Sequence, residues 1–334
     1  MQNTTDILKD SFGRTHNYLR ISLTEKCNLR CTYCMPENGV VLTPKQQIMT
    51  ATEVVDMATL FVKHGVSKIR LTGGEPLLRK DCPEILLALS KLPIQLSLTT
   101  NAILVDRHIE TFKHSNLQTI NVSLDTLHPE KFDAITKRNQ FQKAFDNIQL
   151  LLDEGFNVKL NVVLLKGFND NEIIDFINFT KDKDITVRFI EFMPFDGNRW
   201  DKSKLVSYEE VLQNVKDHFS VSELIPLPNE ENFTARNFKI KNFKGVFGII
   251  SSVTNPFCDS CNRIRLTANG KLKNCLFSNS ETDLLSSFRK GEPIEPIIKN
   301  AIFKKKAVRS GMNTLKDFEN MENHDNRSMI TIGG

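Results

Sequence analysis

The run Leu19-Arg20-Ile21-Ser22-Leu23-Thr24 alternates apolar and polar residues without a break. Successive side chains of a strand leave opposite faces, so Leu19, Ile21 and Leu23 share one face and Arg20, Ser22 and Thr24 the other. Three later strand candidates repeat the division. Their polar faces read Lys68, Arg70, Thr72, then Ser97, Thr99, Asn101, then Asn121, Ser123, Asp125, opposite Ile69, Leu71, Leu96, Leu98, Val122 and Leu124. Residues 157–165 and 186–192 complete a set of six strands, and amphipathic helical patterns fill the intervals at 51–64, 83–90, 106–113, 141–154 and 171–180. Gly65 and Gly155 stand where helix C-caps belong. Repeated βα units imply parallel strands joined by right-handed crossovers, and six of them predict an α/β fold, an incomplete (β/α)6 TIM-like barrel. A filled barrel is lined with Val, Ile and Leu. Here the apolar faces must meet the helices, which leaves a polar lumen for water or a ligand.

Beyond Phe192 the pattern changes. Turn-rich residues 193–198 and a loop at 225–232 flank a helix at 208–219. Strand-like runs follow at 244–253 and 263–276, the second folded at Asn269-Gly270 as a hairpin. The expected organisation is a barrel over residues 1–195 and a smaller α+β region over 196–334 that closes one side of it. With 334 residues, 40 % hydrophobic and 25 % charged, the chain can bury a sizeable core. A net charge of +4 suits an anionic small ligand and is far from the bias of a nucleic-acid-coating protein. The polar start Met1-Gln2-Asn3-Thr4-Thr5-Asp6 lacks the apolar core of a secretory leader, and no run has membrane-spanning length. The expected setting is the cytoplasm, with neither membrane nor nucleic acid as partner.

Cys27, Cys31 and Cys34 follow the first strand as CxxxCxxC. Three thiolates this close can hold one metal centre, but they cannot complete four-coordination for zinc or for every iron of a cubane cluster. One coordination site stays open, which suits a catalytic centre. Cys258, Cys261 and Cys275 form a second triad, a CxxC plus a cysteine returned by the hairpin, again without a fourth ligand. An iron-sulfur cluster with an open iron and a structural zinc are its two readings. Cys82, before Pro83, reads as an inert helix-start residue. An odd count of seven cysteines argues against a disulfide framework.

Arg263 and Arg265, two apart in a strand, project to one face, as do Lys68 and Arg70. Together with Arg20, Lys166 and Arg188 they would crowd one cavity with cations. Such crowding is costly unless an anion binds, and a polyphosphate matches the planar forks of arginine. The basic run Lys304-Lys305-Lys306 with Arg309 reads as a solvated helix end. Gly73-Gly74 lets the backbone approach a ligand closely, a weak signal by itself, and Gly333-Gly334 reads as a frayed tail.

Cys27, Cys31 and Cys34 with Tyr33 between the last two, and Gly73-Gly74-Glu75-Pro76 after the second strand, together resemble the radical S-adenosylmethionine superfamily. The CxxC-x13-C set with embedded Arg263 and Arg265, the runs 19–22, 99–101, 121–125 and 188–193, and the Gly-Gly tail are similar to the GTP 3',8-cyclase family of molybdenum-cofactor biosynthesis, nearly end to end. The resemblance implies two [4Fe-4S] clusters, one on each triad, with S-adenosylmethionine chelating the open iron of the first. It implies S-adenosylmethionine contacts at Tyr33, Gly74, Ser123 and Met193. GTP contacts are implied at Arg20, Lys68, Arg70, Thr99, Lys166, Arg188, Arg263, Ile264 and Arg265. Arg263, Arg265, Gly333 and Gly334 are implied to serve catalysis, the two glycines by reaching into the site.

The implied reaction begins with reduction by an external donor such as flavodoxin. A 5'-deoxyadenosyl radical then takes the ribose 3' hydrogen of GTP, and cyclisation yields (8S)-3',8-cyclo-7,8-dihydroguanosine 5'-triphosphate for the downstream cyclic pyranopterin monophosphate synthase. A homodimer is a further expectation. Two departures from the family pattern are Ala102, where relatives often carry Gly, and Lys26, where Arg is frequent. A peptide-modifying radical enzyme would carry more C-terminal cysteines, and an electron carrier would close each cluster with four protein ligands.

Overall fold

The computed structural model describes residues 6–229, 231–319 and 327–333. Six parallel strands form its centre: β1 (Tyr18–Ser22), β2 (Lys68–Thr72), β3 (Gln95–Thr100), β4 (Thr119–Ser123), β5 (Asn157–Leu164) and β6 (Ile185–Glu191). The crossovers carry α1 (Ala51–Lys63), α2 (Cys82–Leu89), α3 (Ile109–His114), α4 (Pro129–Thr136), α5 (Phe141–Asp153) and α6 (Ile173–Asn178). The periodicity missed α4, a two-turn helix begun by a proline and stopped by Lys137 in the left-handed conformation at φ 57°. Gly65 and Gly155 follow α1 and α5 with φ of 107° and 77°, as C-caps require. A capping box opens α1: Glu53 N donates to Thr50 Oγ1 at 3.2 Å and Thr50 N to Glu53 Oε2 at 2.7 Å.

The two faces of the strands separate as their alternation demands. Leu19, Ile21, Ile69, Leu71, Leu98 and Val122 are fully buried in the main core against the helices. Ser22, Arg70, Thr72, Ser97 and Asn121 on the opposite face are buried as well. A buried polar face is no solvent-exposed sheet surface; it encloses a lumen. The architecture is an α/β partial barrel.

After α7 (Tyr208–His218) the chain adds β7 (Leu224–Pro226), β8 (Arg236–Ile240), β9 (Val246–Ile250), β10 (Arg263–Leu266), β11 (Lys271–Lys273) and β12 (Thr282–Asp283). Short helices α8 (Leu285–Arg289), α9 (Glu295–Phe303), α10 (Leu315–Glu319) and α11 (Met329–Ile332) complete it. The strand order is β12-β11-β10-β1-β2-β3-β4-β5-β6-β9-β8-β7. β10 lies parallel to β1 and β9 parallel to β6, so eight consecutive strands run parallel and an antiparallel pair hangs on each edge. The C-terminal residues thus extend both edges of one sheet, where the sequence suggested a region on one side. No described helix is long and apolar enough to cross a membrane.

Gly245 marks the tightest of these junctions. Its N–H donates to Thr180 O at 2.9 Å, and a Cβ there would lie 2.2 Å from Ile185 O and 2.7 Å from Lys183 O. Backbone atoms cannot swing aside, so Gly245→Ala has to displace β6 or β9. We expect it to cost about 1–3 kcal/mol or more of unfolding free energy, visible as a lower urea midpoint.

Candidate active site

The first cysteine triad sits in the loop leaving β1. Cys34 N and Met35 N both donate to Cys31 O, at 3.0 and 2.9 Å, which coils Cys31 to Met35 into one turn. Gly74 N donates to Thr24 O at 2.7 Å, and a Cβ on Gly74 would stand 2.3 Å from Lys26 O. The glycine pair therefore lets the end of β2 press on the cysteine loop's own backbone. Glu75 is buried behind it and accepts from Leu77 N (3.1 Å), Thr100 Oγ1 (2.8 Å) and Asn101 N (2.7 Å). Burial pushes Glu75 up to about 7 against those donors. Ala102, next in line, adopts φ 66°, the conformation a glycine holds without strain. Tyr33 donates its hydroxyl to Asp125 Oδ2 at 2.7 Å, while Val163 N holds the other carboxylate oxygen at 2.9 Å.

Strand register fixes the cations. Arg265, Arg20 and Arg70 stand abreast on β10, β1 and β2. They line a cavity together with Thr99, Asn161, Arg188, Met193 and Arg263. Arg188 is hydrogen-bonded to Asn121 Oδ1. Tyr18, one alternation below Arg20, packs its ring against three cations: Lys68 Nζ at 5.1 Å, and the Arg20 and Arg70 guanidinium carbons at 5.5 Å each. Burial, with Arg20 and Arg263 nearby, drives Arg70 down to about 10, and burial and Arg20 lower Arg265 likewise. Lys273, Lys305 and Arg309 bring the lining to eight cations, and no carboxylate is among the described residues of the wall.

The second triad, Cys258, Cys261 and Cys275, lines the same cavity. Among the described residues no three thiol, imidazole or carboxylate groups lie close enough to hold a single ion. Six free, partly exposed thiols in two open triads are instead a donor set for larger thiolate-bound centres. Lys305 is the residue that the sequence reading missed here. It is buried, not solvated; its ammonium donates to Arg263 O at 2.9 Å and to Cys261 Sγ at 3.5 Å. Arg309 also turns inward, donating to Val253 O and Asn313 O at 2.6 Å each.

Lys166 and Ile264, two of the expected contacts, fall elsewhere. Lys166 lies beyond the end of β5, half exposed, with Nζ 2.5 Å from Glu210 Oε1. Alternation along β5 points instead to Lys159, which shares its face with the cavity residue Asn161 and is in register with Asn121 and Thr186. Ile264 is fully buried in the main core, because the residue between two lumen-facing arginines must point away from the lumen. Gly334 lies outside the described residues. Gly333 is no frayed end: its carbonyl accepts from Arg265 Nη1 at 2.6 Å, and a Cβ on it would meet Ser22 and Thr72 at 2.7 Å. Ser123 stays half buried on β4. Cys82 begins α2, fully buried.

A partial parallel barrel with CxxxCxxC in the loop after its first strand defines a radical S-adenosylmethionine protein, and residues 21–180 match the profile of the Radical SAM superfamily. Residues 185–310 match the profile described as Molybdenum Cofactor Synthesis C. The fold alone is shared with Streptococcus suis SuiB, at a TM-score of 0.61 and 16% identity, over 83% of this chain and 67% of that one. The mitochondrial GTP 3',8-cyclase of Arabidopsis thaliana is 48% identical over 99% of this chain and 84% of its own length. The GTP 3',8-cyclase of Listeria monocytogenes is 42% identical over 98% of this chain and 99% of its own. Molybdenum cofactor biosynthesis protein 1 of Homo sapiens is 47% identical over 97% of this chain, which spans about half (51%) of the human protein. The chain belongs to the GTP 3',8-cyclase family.

The two triads differ in electrostatics. Burial pushes the Cys27 thiol up to about 11 and Cys34 up to about 12, and it raises Cys31 too. Burial acts on Cys261 in the same sense, yet Lys305 and Arg263 outweigh it and bring that thiol down to about 6. In metal-free protein Cys261 therefore ionises more readily than Cys27, Cys31 or Cys34. We expect iodoacetamide followed by peptide mass mapping to label Cys261 ahead of Cys27 and Cys34, and Lys305→Met to remove the preference.

Proposed function

We propose that this chain converts GTP into (8S)-3',8-cyclo-7,8-dihydroguanosine 5'-triphosphate, the first step of molybdenum-cofactor biosynthesis. The observation that carries this reading is the cavity itself, eight cations without a carboxylate, walled on one side by three thiols. Such a wall is electrostatically incomplete without a polyanion, and a triphosphate supplies one.

Cys27, Cys31 and Cys34 would hold one [4Fe-4S] cluster and Cys258, Cys261 and Cys275 a second. Thiolate donors with one iron left unligated fit both triads. When bound, the first cluster with S-adenosylmethionine supplies a 5'-deoxyadenosyl radical as hydrogen-abstracting agent. Tyr33, Gly74, Ser123 and Met193 are assigned to S-adenosylmethionine. Arg20, Lys68, Arg70, Thr99, Arg188, Arg263 and Arg265 are assigned to GTP, with Lys159 in the role first given to Lys166. These residues fix the nucleotide's phosphates and so place the ribose, which is where positioning lowers the barrier. Gly333, whose carbonyl meets Arg265, is assigned to catalysis together with Gly334. Residues 1–195 form an incomplete (β/α)6 barrel, and residues 196–334 close its lumen and keep out water and oxidants. A flavodoxin-like donor, a homodimer, a cytoplasmic setting and delivery of product to cyclic pyranopterin monophosphate synthase belong to the same proposal.

The test is anaerobic incubation of the reconstituted, reduced protein with S-adenosylmethionine and GTP, with mass analysis of nucleotides. We expect 5'-deoxyadenosine together with a cyclised GTP; deoxyadenosine with GTP unchanged would remove GTP as substrate. Arg263→Ala and Arg265→Ala are each expected to keep the iron content and weaken GTP binding by about 10- to 100-fold in calorimetry. Loss of iron with intact GTP affinity would reverse the assignment. Deleting Gly333 and Gly334 is expected to abolish cyclisation while 5'-deoxyadenosine still forms; a fully active truncation would refute the role of the tail.

A further inference from the structure

Arg327 is six residues from Gly333 and touches both halves of the site. Its Nη2 donates to Glu25 Oε1 at 2.9 Å, and its Nη1 reaches Asn269 Oδ1 at 3.3 Å and Glu281 Oε2 at 3.4 Å. Glu25 stands two residues before Cys27, in the loop of the first triad, and its side chain is 2% exposed. Thr43 completes its coordination, donating N to Oε2 at 2.7 Å and Oγ1 to Oε1 at 2.9 Å. Asn269 and Glu281 belong to the hairpin region that carries Cys275. Arg327 is the cation paired with this buried carboxylate, so each of the two side chains helps to hold the other in place. From this anchor α11 makes a single turn, with Ile330 and Ile332 buried, and delivers the Gly333 carbonyl to Arg265.

We infer that Arg327 is a positioning residue. It ties the chain end to the loop of the first triad and to the hairpin of the second, and the tail reaches Arg265 only while both are in place. One arginine then makes the seating of the C-terminus depend on the order of both thiol loops. The consequence for turnover rests on the GTP cyclase reading; the anchoring does not.

Hydrogen–deuterium exchange on the full chain tests the anchoring directly. In Arg327→Gln we expect the amides of residues 328–333 to exchange about tenfold faster or more, with β1 to β6 unchanged, and Arg327→Lys to restore part of the protection. Equal protection in Arg327→Gln and the unaltered protein would overturn the inference. Should Arg327→Gln fail to fold, Glu281→Gln leaves Glu25 paired and carries the same expectation in milder form.

The second readout is the ratio of cyclised nucleotide to 5'-deoxyadenosine under anaerobic turnover. We expect that ratio to fall at least about fivefold in Arg327→Gln while GTP affinity stays within about threefold, the pattern of lost positioning and not of lost binding. An unchanged ratio would overturn the positioning role. If the unaltered protein itself forms no cyclised nucleotide, the GTP reading fails, and exchange alone decides the anchoring.

Discussion

Three guanidinium groups side by side, Arg265, Arg20 and Arg70, set the terms for the rest of the molecule. Neighbouring strands lie about 4.8 Å apart, and like charges placed directly across a sheet repel. No carboxylate among the described residues of the cavity wall relieves them. The sheet holds them together because their strands are welded to the helices by a continuous apolar face. Hydrophobic burial on one side of each strand thus sustains an unfavourable field on the other, a usual arrangement where a site is prepared for a ligand of opposite charge.

The same field is shared with the second triad through backbone and side-chain contacts from distant parts of the chain. Arg14 donates to Cys258 O at 2.8 Å and to Ala307 O at 2.8 Å, while Asp10 holds its Nε at 2.6 Å. His16 lies against Asp10, and burial with Lys305 nearby lowers its pKa to about 3, so it stays neutral. Lys305, together with Arg263, supplies the positive charge beside the Cys261 sulfur. An N-terminal turn, the bend after α9 and the CxxC loop are one structural unit, although they are far apart in sequence.

How much of this could be read from the residues follows from how local each signal was. Alternation along the strands exposed the polar lumen, and cysteine spacing exposed both triads. Arg20, Arg70, Arg188, Arg263 and Arg265 were found because each sits inside a regular strand, where period two fixes direction. Lys305 and Arg309 follow a helix end, where no period applies, and a basic run there resembles a solvated one. A strand extended to Leu165, one residue past its observed end, brings Lys166 to its tip, and only alternation carried along the whole of β5 selects Lys159. Nothing local announces that β9 and β10 complete the two edges of the central strands, since that pairing depends on side chains and backbone brought together only by the fold.

That last feature bears on how the protein is made. Asn17, just before β1, bonds Asn262, just before β10, across 245 positions of sequence. During synthesis the barrel strands emerge first, and the outer edge of β1 waits unpaired until nearly four-fifths of the chain has appeared. An open parallel edge is a template for pairing with other chains, and contacts of such long range form slowly. Newly made chains are thus most exposed to aggregation in the interval before residue 263 arrives, which makes yield in the cell depend on how that one edge is shielded.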